Sequence, residues 1–109
     1  MSDESLTTKT NTITDVEFVV VPDEELEKPY RVIIENDDVT PMDFVVLVLC
    51  AIFELSPNKA QRVMLRAHYF GRAHVTTLPY EEARQRVYDA HSLARAVGYP
   101  LTFYLEPDE

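Results

Sequence analysis

Three consecutive polar residues, Asn36, Asp37 and Asp38, stand where a β-branched and aromatic segment gives way to a Thr-Pro pair. Amide and carboxylate oxygens accept hydrogen bonds, so such a group at the end of a strand can receive a cationic donor. The same triplet is also typical of turns, and carboxylates near a helix N-terminus interact favourably with the helix dipole. Taken alone, these residues favour the structural interpretation.

A histidine closes an apolar stripe on the second predicted helix. The stripe consists of Ala60, Val63, Met64, Ala67 and His68, at i, i+3, i+4, i+7 and i+8. An imidazole in that position is more often a hydrogen-bonded core residue than a binding residue. The residue pattern leaves both interpretations of His68 open.

Catalytic and metal-binding chemistry finds little support in the sequence. The three histidines are separated by 6 and 17 positions, and neither an HExxH nor a Cys-x-x-Cys motif occurs. Cys50 has apolar neighbours, which is typical of an inert thiol. The two glycines, Gly71 and Gly98, lie at predicted helix ends and cannot build a phosphate-binding loop. We therefore expect a protein that is not an enzyme and needs no cofactor; a small hydrolase using His68 and Asp37 is kept as an alternative.

Length and charge set further limits. The chain has 109 residues, enough for one packed core, with a formal net charge of −9 and a pI near 4.7. That acidity argues against nucleic acid and anionic membranes as partners. No secretory signal pattern is present, and the apolar run Phe44–Phe53 is far shorter than the roughly 20 residues that span a bilayer. With a single cysteine, these features predict a cytoplasmic protein.

Start and stop signals predict six elements in the order β-α-α-β-α-β. The strands are expected at Tyr30–Glu35, Arg72–Leu78 and Leu101–Glu106. The helices are expected from Pro41, with Thr40 as N-cap, to about Glu54, from Pro57 to Phe70, and from about Tyr80 to Val97. The expected fold class is therefore α/β, a three-stranded antiparallel sheet with three helices on one face.

Acidic residues are concentrated in the first 28 positions. Residues 1–28 carry eight acids against two lysines, a formal charge of −6, and mostly lack helical or strand periodicity. We therefore expect residues 1–28 to be a flexible acidic arm and residues 29–109 to be the folded domain. Val16–Val21 is an exception, because its composition suits a short strand or a docking segment.

A long and unusual string in the chain resembles the signature of the ClpS family of Clp protease adaptors. It runs from Pro29 to Val45 and includes the sequence NDDVTPMDFV. Shorter matches follow at Met64–His68, Gly71–Ala73, Tyr80-Glu81 and Gly98–Thr102. The resemblance covers about residues 29–107 and implies a layered fold of the kind expected above.

What the resemblance implies is an adaptor of the N-end rule. Such an adaptor binds proteins whose first residue is large and hydrophobic (Leu, Phe, Tyr or Trp) and delivers them to a ClpA- or ClpC-type AAA+ unfoldase. Capture of a free N-terminus needs acceptors for a cationic amine beside an apolar hole. By resemblance, the polar side would consist of Asn36, Asp37, His68 and Thr40. The surroundings of the hydrophobic pocket would be Asp38, Met42, Val45, Met64, Ala67 and Leu101, with Met42 excluding β-branched first residues.

The third predicted helix carries a second implied site. Glu81 and Arg86 match the family's surface for the unfoldase, although a simple solvated helix face is the alternative for both. Arg86 replaces a common lysine, which keeps the charge and changes its geometry. Val39 stands where an aromatic residue is common and Ala67 where valine is usual, so we expect a changed pocket entrance and a slightly deeper pocket.

Two features leave other interpretations open. The same layered fold resembles the C-terminal domain of the ribosomal stalk protein, so a ribosome-associated or structural interaction domain is the alternative function. On the first predicted helix, Val46, Leu47 and Cys50 form an apolar stripe opposite the expected core face. Its cover is predicted to be a second copy of the chain or the segment Val16–Val21, with simple exposure as the third alternative.

Overall fold

The computed structural model describes residues 22–109, and this range contains four helices and three strands. The strands are β1 (Pro29–Glu35), β2 (Arg72–Pro79) and β3 (Thr102–Pro107). The helices are α1 (Asp23–Glu27), α2 (Met42–Ala51), α3 (Pro57–Phe70) and α4 (Tyr80–Ala96). From β1 onward, the order confirms the predicted β-α-α-β-α-β arrangement.

β1 is the central strand of an antiparallel sheet with the order β2-β1-β3. Val32 and Ile34 belong to the core cluster, whereas Ile33 between them lies on the opposite face of the sheet. At the end of β1, Glu35 pairs with Arg72 of β2 and with Thr102 of β3. The C-terminal end of β1 therefore lies beside the start of both neighbouring strands.

The core lies between the sheet and helices α2, α3 and α4. Its largest fully buried side chains are Ile34, Leu49, Leu101, Val32, Val48 and Val75. α4 faces this cluster with three completely buried alanines, Ala83, Ala90 and Ala94. Small side chains let a helix approach the sheet closely while still removing apolar surface from water. The predicted layered α/β fold is thus confirmed.

α2 ends three residues before the predicted Glu54. Glu54 adopts a left-handed conformation (φ 61°), and the N–H of Leu55 donates to the carbonyl oxygen of Leu49 at 3.1 Å, which closes the helix end. A left-handed conformation costs a non-glycine residue about 1–2 kcal/mol. Arg86 of α4 stabilises this turn, because its guanidinium donates to the carbonyl oxygen of Ile52 and to the carboxylate of Glu54.

The short helix α1 occupies a segment that is predicted to be part of the flexible arm. Three carboxylates fill its first turn, where they interact favourably with the helix dipole. Its half-buried Leu26 lines a groove with Glu81 and Arg86 of α4. The expectation of no regular structure is therefore wrong for Asp23–Glu27, because contact with α4 supports this turn. Val16–Val21 lies outside the described residues.

The apolar stripe predicted on α2 is narrower than expected. Val46 and Cys50 are half-buried and pack against the core, whereas 54% of Leu47 is exposed. The expected patch therefore shrinks to one largely exposed side chain, and self-association through it stays a prediction. Within residues 22–109, no helix is both long and apolar enough to cross a bilayer.

Candidate functional site

A cavity of about 290 Å³ opens where the C-terminal end of β1 meets α2 and α3. It is lined by Ile34, Glu35, Asn36, Asp37, Asp38, Val39, Thr40, Pro41, Met42, Val45, Met64, Ala67, His68 and Leu101. These residues come from the end of β1, the loop that follows, the start of α2, the second half of α3 and the residue before β3. The volume is at the small end of the range for ligand pockets, which suits one side chain and a few polar atoms.

The floor of the cavity is apolar. Ile34 and Leu101 are 1% exposed, and the neighbouring side chains of Val45, Met64 and Ala67 are also buried. An apolar side chain that enters this space leaves water on all sides, and burial of this kind contributes roughly 25 cal/mol per Å². The floor is therefore suited to a large hydrophobic group.

The entrance is formed by more exposed apolar residues. Met42 at the start of α2 is 44% exposed, and Val39 in the loop is 64% exposed. Because Met42 has an unbranched and flexible side chain, it can restrict the opening without closing it.

The loop between β1 and α2 is held in shape by the carboxylate of Asp37. Its Oδ1 accepts the backbone N–H groups of Val39 (2.8 Å) and Thr40 (2.7 Å). Its Oδ2 accepts the hydroxyl of Thr40 at 2.9 Å. The carboxylate of Asp37 therefore stabilises the loop in addition to its predicted contact with a ligand.

Thr40 does not cap α2 as predicted. The N-cap residue of α2 is Pro41, and no side chain makes a capping hydrogen bond there. The hydroxyl of Thr40 donates instead to Asp37, and this residue is the buried polar member of the cavity, at 8% exposure. Donation to Asp37 holds the Thr40 side chain against the loop, and α2 begins one residue later than predicted, with Pro41 as its N-cap.

Asn36 and His68 meet at the cavity from distant parts of the chain. The N–H of Asn36 donates to the carbonyl oxygen of Gly71 at 2.9 Å, which ties the end of β1 to the end of α3. Gly71 ends α3 with φ 91°, a left-handed conformation that glycine adopts readily. Within residues 22–109, neither the side-chain amide of Asn36 nor the His68 ring has a hydrogen-bond partner, so both can bind a ligand in the cavity.

The lining of the cavity has a concentration of negative charge. Glu35, Asp37 and Asp38 bring three carboxylates to its lining, and among residues 22–109 no lysine or arginine lines it. Clustered carboxylates create a negative potential that attracts cations. The arrangement can therefore bind an ammonium group whose neighbouring side chain enters the apolar floor.

All ten side chains predicted for the substrate site line this one cavity. Three further lining residues were not predicted, Ile34, Glu35 and Pro41, whereas Val39 was expected at the pocket entrance. Glu35 and Pro41 are each adjacent in sequence to a predicted residue, and Ile34 is two positions from Asn36, so proximity along the chain was an available signal. Ile34 could also have been found from strand alternation, since it points to the same side of the sheet as Val32.

The second predicted site, on α4, is separate from the cavity. Glu81 and Arg86 line a groove with Leu26 of α1. Glu81 pairs with Arg84 at 2.7 Å, and this contact lowers the pKa of the Glu81 carboxyl. Arg86 is engaged with Glu82 as well as with the turn after α2, so it has a structural role beside any contact with a partner.

Comparison with known proteins gives a consistent result. The family model for "ATP-dependent Clp protease adaptor protein ClpS" matches residues 25–104. The chain is 41% identical over 90 residues to the "ATP-dependent Clp protease adapter protein ClpS 2" of Agrobacterium fabrum, covering 83% of this chain and 87% of that one. It is 37% identical to "ATP-dependent Clp protease adapter protein ClpS 1" of Bradyrhizobium diazoefficiens over the full length of both chains.

A solved structure resembles the fold as well. It is Agrobacterium tumefaciens ClpS2 bound to L-phenylalaninamide, with a TM-score of 0.72 and 40% sequence identity. The match covers 75% of this chain and 99% of that one. Among residues 22–109, no cluster of three or more histidine, cysteine or acidic side chains could hold a metal ion.

Proposed function

Because this chain belongs to the ClpS family of Clp protease adaptors, we propose that its cavity binds polypeptides by a large hydrophobic N-terminal residue. The bound protein is then delivered to a ClpA- or ClpC-type AAA+ unfoldase in the cytoplasm for degradation by the Clp protease. The adaptor itself performs no catalysis and uses no cofactor. One observation carries this proposal: acceptors for a cationic amine lie directly beside an apolar floor in a single small cavity.

The α-amino group is received by Asn36, Asp37 and His68. A carboxylate offers about four acceptor positions, and the loop uses three of those on Asp37. The remaining position, on Oδ2, accepts one N–H of the ammonium. The Asn36 side-chain oxygen and the His68 ring, which have no partner within residues 22–109, accept the others.

The first side chain enters the apolar floor. The related ClpS2 structure contains L-phenylalaninamide, an amino-terminal residue without a following peptide, which supports an aromatic group as occupant. Ala67 in the floor is small, so the cavity has depth for Phe, Tyr, Leu or Trp. Met42 at the entrance excludes the extra branch of Ile and Val.

The unfoldase is proposed to contact α4 at the surface that includes Glu81 and Arg86. This surface shares no residue with the lining of the cavity, so both partners can be bound together. α1 lies at the edge of the same surface, so we expect an unfoldase bound there to contact the acidic residues of α1 as well.

The test is a titration with peptides that differ only in their first residue, each with a free or an acetylated N-terminus. Acetylation removes the charge and two donors, and each hydrogen bond to a charged group is worth about 1.5–3 kcal/mol, so binding should weaken at least tenfold. Equal affinities for the free and acetylated forms of a Phe-first peptide would contradict the proposed binding of the α-amino group. A ribosome-associated or structural domain, the alternative function, would bind neither form.

A further inference from the structure

Leu101 in the floor of the cavity is supplied by a short loop between α4 and β3. α4 ends at Ala96, and Leu101 comes directly before the first residue of β3. Its side chain is buried and lines the cavity, so its position limits how far a first side chain can enter. Within residues 22–109, α4 contributes no lining residue of its own. α4 can therefore affect the cavity only through the residues that it positions.

Arg95 in the last turn of α4 binds this loop at two points. Its Nη1 donates to the carbonyl oxygen of Tyr99 and to that of Leu101, each at 2.8 Å. The hydrogen bond to Leu101 is partly buried. Because a hydrogen bond from a charged donor is roughly twice as strong as one between neutral groups, Arg95 holds the backbone of Leu101 firmly in place.

β3 needs such partners because it is an edge strand. In the part of the chain that the structure describes, β3 pairs only with β1, so the backbone groups of alternate residues point away from the sheet. One of them, the N–H of Phe103, donates to the Nε2 atom of His91 at 2.9 Å. His91 lies one helical turn before Arg95. Two side chains of α4 therefore fix the backbone from Tyr99 to Phe103.

The loop before β3 also contacts α2. The rings of Tyr99 and Phe44 pack edge to face, with their centroids 4.9 Å apart. Phe44 lies on α2 between Met42 at the entrance of the cavity and Val45 in its floor. A displacement of the loop therefore affects the cavity directly through Leu101 and also through its packing against α2.

We propose that Arg95 is a positioning residue that sets the depth of the cavity and thereby the preference among large first residues. Its hydrogen bonds keep Leu101 in the floor, where a side chain that fills the cavity completely makes a close apolar contact. Without Arg95, the two carbonyl oxygens lose their donor and turn towards water, which draws Leu101 out of its place. This inference rests on the proposed function, because it requires the first side chain to occupy the cavity.

The test compares Arg95→Met with Arg95→Lys in the full chain. Methionine keeps an apolar stem but donates no hydrogen bond. A lysine ammonium has three donors, so it can bond both carbonyl oxygens from one nitrogen, as Nη1 does in the wild type. If Arg95→Met does not fold, Arg95→Gln takes its place, because the glutamine amide nitrogen ends two bonds short of Nη1.

Peptides that begin with Phe or Leu, each with a free or an acetylated N-terminus, are titrated by fluorescence polarisation. In Arg95→Met the Phe peptide should lose about threefold more affinity than the Leu peptide, because the larger ring loses roughly 30 Å² more apolar contact with the floor. Arg95→Lys should keep the wild-type ratio of the two affinities. This ratio does not depend on the fraction of folded protein, so a variant that is merely destabilised leaves it unchanged.

The discrimination between free and acetylated peptides should stay at the wild-type level in Arg95→Met, since the loop proposed to bind the amine is not altered. Loss of this discrimination in the variant would indicate general damage to the site and overturn the proposal. An unchanged ratio of Phe to Leu affinity in Arg95→Met would overturn it too, while the proposed function stands. If no Phe-first peptide binds the wild type, the proposed function itself fails.

Two further variants separate the position of Leu101 from other effects. Arg84→Met is the charge-matched control, because Arg84 lies on the same helix, pairs with Glu81 and does not line the cavity. An equal change of the ratio in this variant would assign the effect to charge and contradict the proposal. In Leu101→Ala the side chain to be positioned is absent, so adding Arg95→Met should change the ratio no further. A further change would show that Arg95 acts through another contact, and the proposal would be wrong.

Discussion

Replacing Asp37 separates the two roles that the structure gives this carboxylate. In Asp37→Asn, the side-chain oxygen can still accept the N–H groups of Val39 and Thr40, and the new amide can donate to the Thr40 hydroxyl. The loop therefore keeps its three hydrogen bonds, whereas the group facing the proposed amine changes from a charged acceptor to a donor. In Asp37→Ala all three hydrogen bonds are lost.

The two variants should differ in stability. A net hydrogen bond contributes about 0.5–1.5 kcal/mol, and the loop is partly exposed, so Asp37→Ala should lower the free energy of unfolding by about 2–3 kcal/mol. Asp37→Asn should lower it by less than about 1 kcal/mol, because its bonds are neutral rather than absent. The loop between β1 and α2 is partly exposed, but Asp37→Ala is still expected to destabilise it, because three hydrogen bonds are lost.

Both variants should bind a Phe-first peptide at least tenfold more weakly than the wild type, since one hydrogen bond to the ammonium is worth about 1.5–3 kcal/mol. Binding is measured by fluorescence polarisation and stability by urea unfolding followed by circular dichroism. Asp43→Asn is the matched control for binding: it makes the same change in the first turn of α2 outside the cavity and should leave peptide affinity unchanged. It should lower the free energy of unfolding by less than about 1 kcal/mol, because it removes a charge that interacts favourably with the helix dipole. Wild-type affinity in Asp37→Asn would refute the contact between Asp37 and the amine, and wild-type stability in Asp37→Ala would refute its role in the loop.

Three further predictions concern the entrance of the cavity, the surface of α2 and the effect of pH. Met42→Ala should admit peptides that begin with Ile or Val while it retains those with Leu or Phe; an unchanged preference for Leu over Ile would mean that another residue sets the limit. Self-association through Leu47 predicts that the wild type sediments as a dimer and Leu47→Glu as a folded monomer, and a wild type that is monomeric at every concentration contradicts it. The Nε2 atom of His91 accepts the N–H of Phe103 at 2.9 Å, and burial lowers the pKa of this imidazole. Because the unfolded chain then binds the proton more readily than the folded one, the free energy of unfolding should fall as the pH drops below about 6.5. His91→Gln keeps an acceptor without titrating and should lose less free energy of unfolding between pH 7.5 and 5.5; equal losses would contradict this assignment.

Helix ends that are marked by a neighbouring capping residue or glycine could be predicted from the sequence. Ser56, directly before the predicted start at Pro57, caps α3 with its Oγ accepting the N–H of Lys59 at 3.2 Å, and Gly71 ends the helix in a left-handed conformation. The cap of α2 could not be predicted, because the residue at which the helix begins depends on how the folded loop between β1 and α2 holds Thr40. Similarly, a five-residue helix such as α1 depends on contact with α4, which the sequence of the segment does not contain.

In the candidate site, too, some features could be predicted from the sequence and others depend on tertiary contacts. The resemblance to a family identified the residues of the cavity, but their juxtaposition depends on strand pairing. Asn36 meets the end of α3 because Glu35 pairs with Arg72, and that register cannot be deduced from either strand alone. The structural role of Arg86 was missed for a related reason, since its acceptors lie 32 and 34 positions away in sequence.

The hydrogen bonds of Asp37 have an evolutionary consequence. They span only two and three positions in sequence, so the segment from Asn36 to Thr40 carries the information for its own shape. The walls of the cavity, by contrast, come from helices and a strand that lie elsewhere in the chain. Mutations at wall positions such as Ala67 can therefore accumulate without deforming the loop. Such substitutions can change the preference among first residues while the loop proposed to bind the amine keeps its shape.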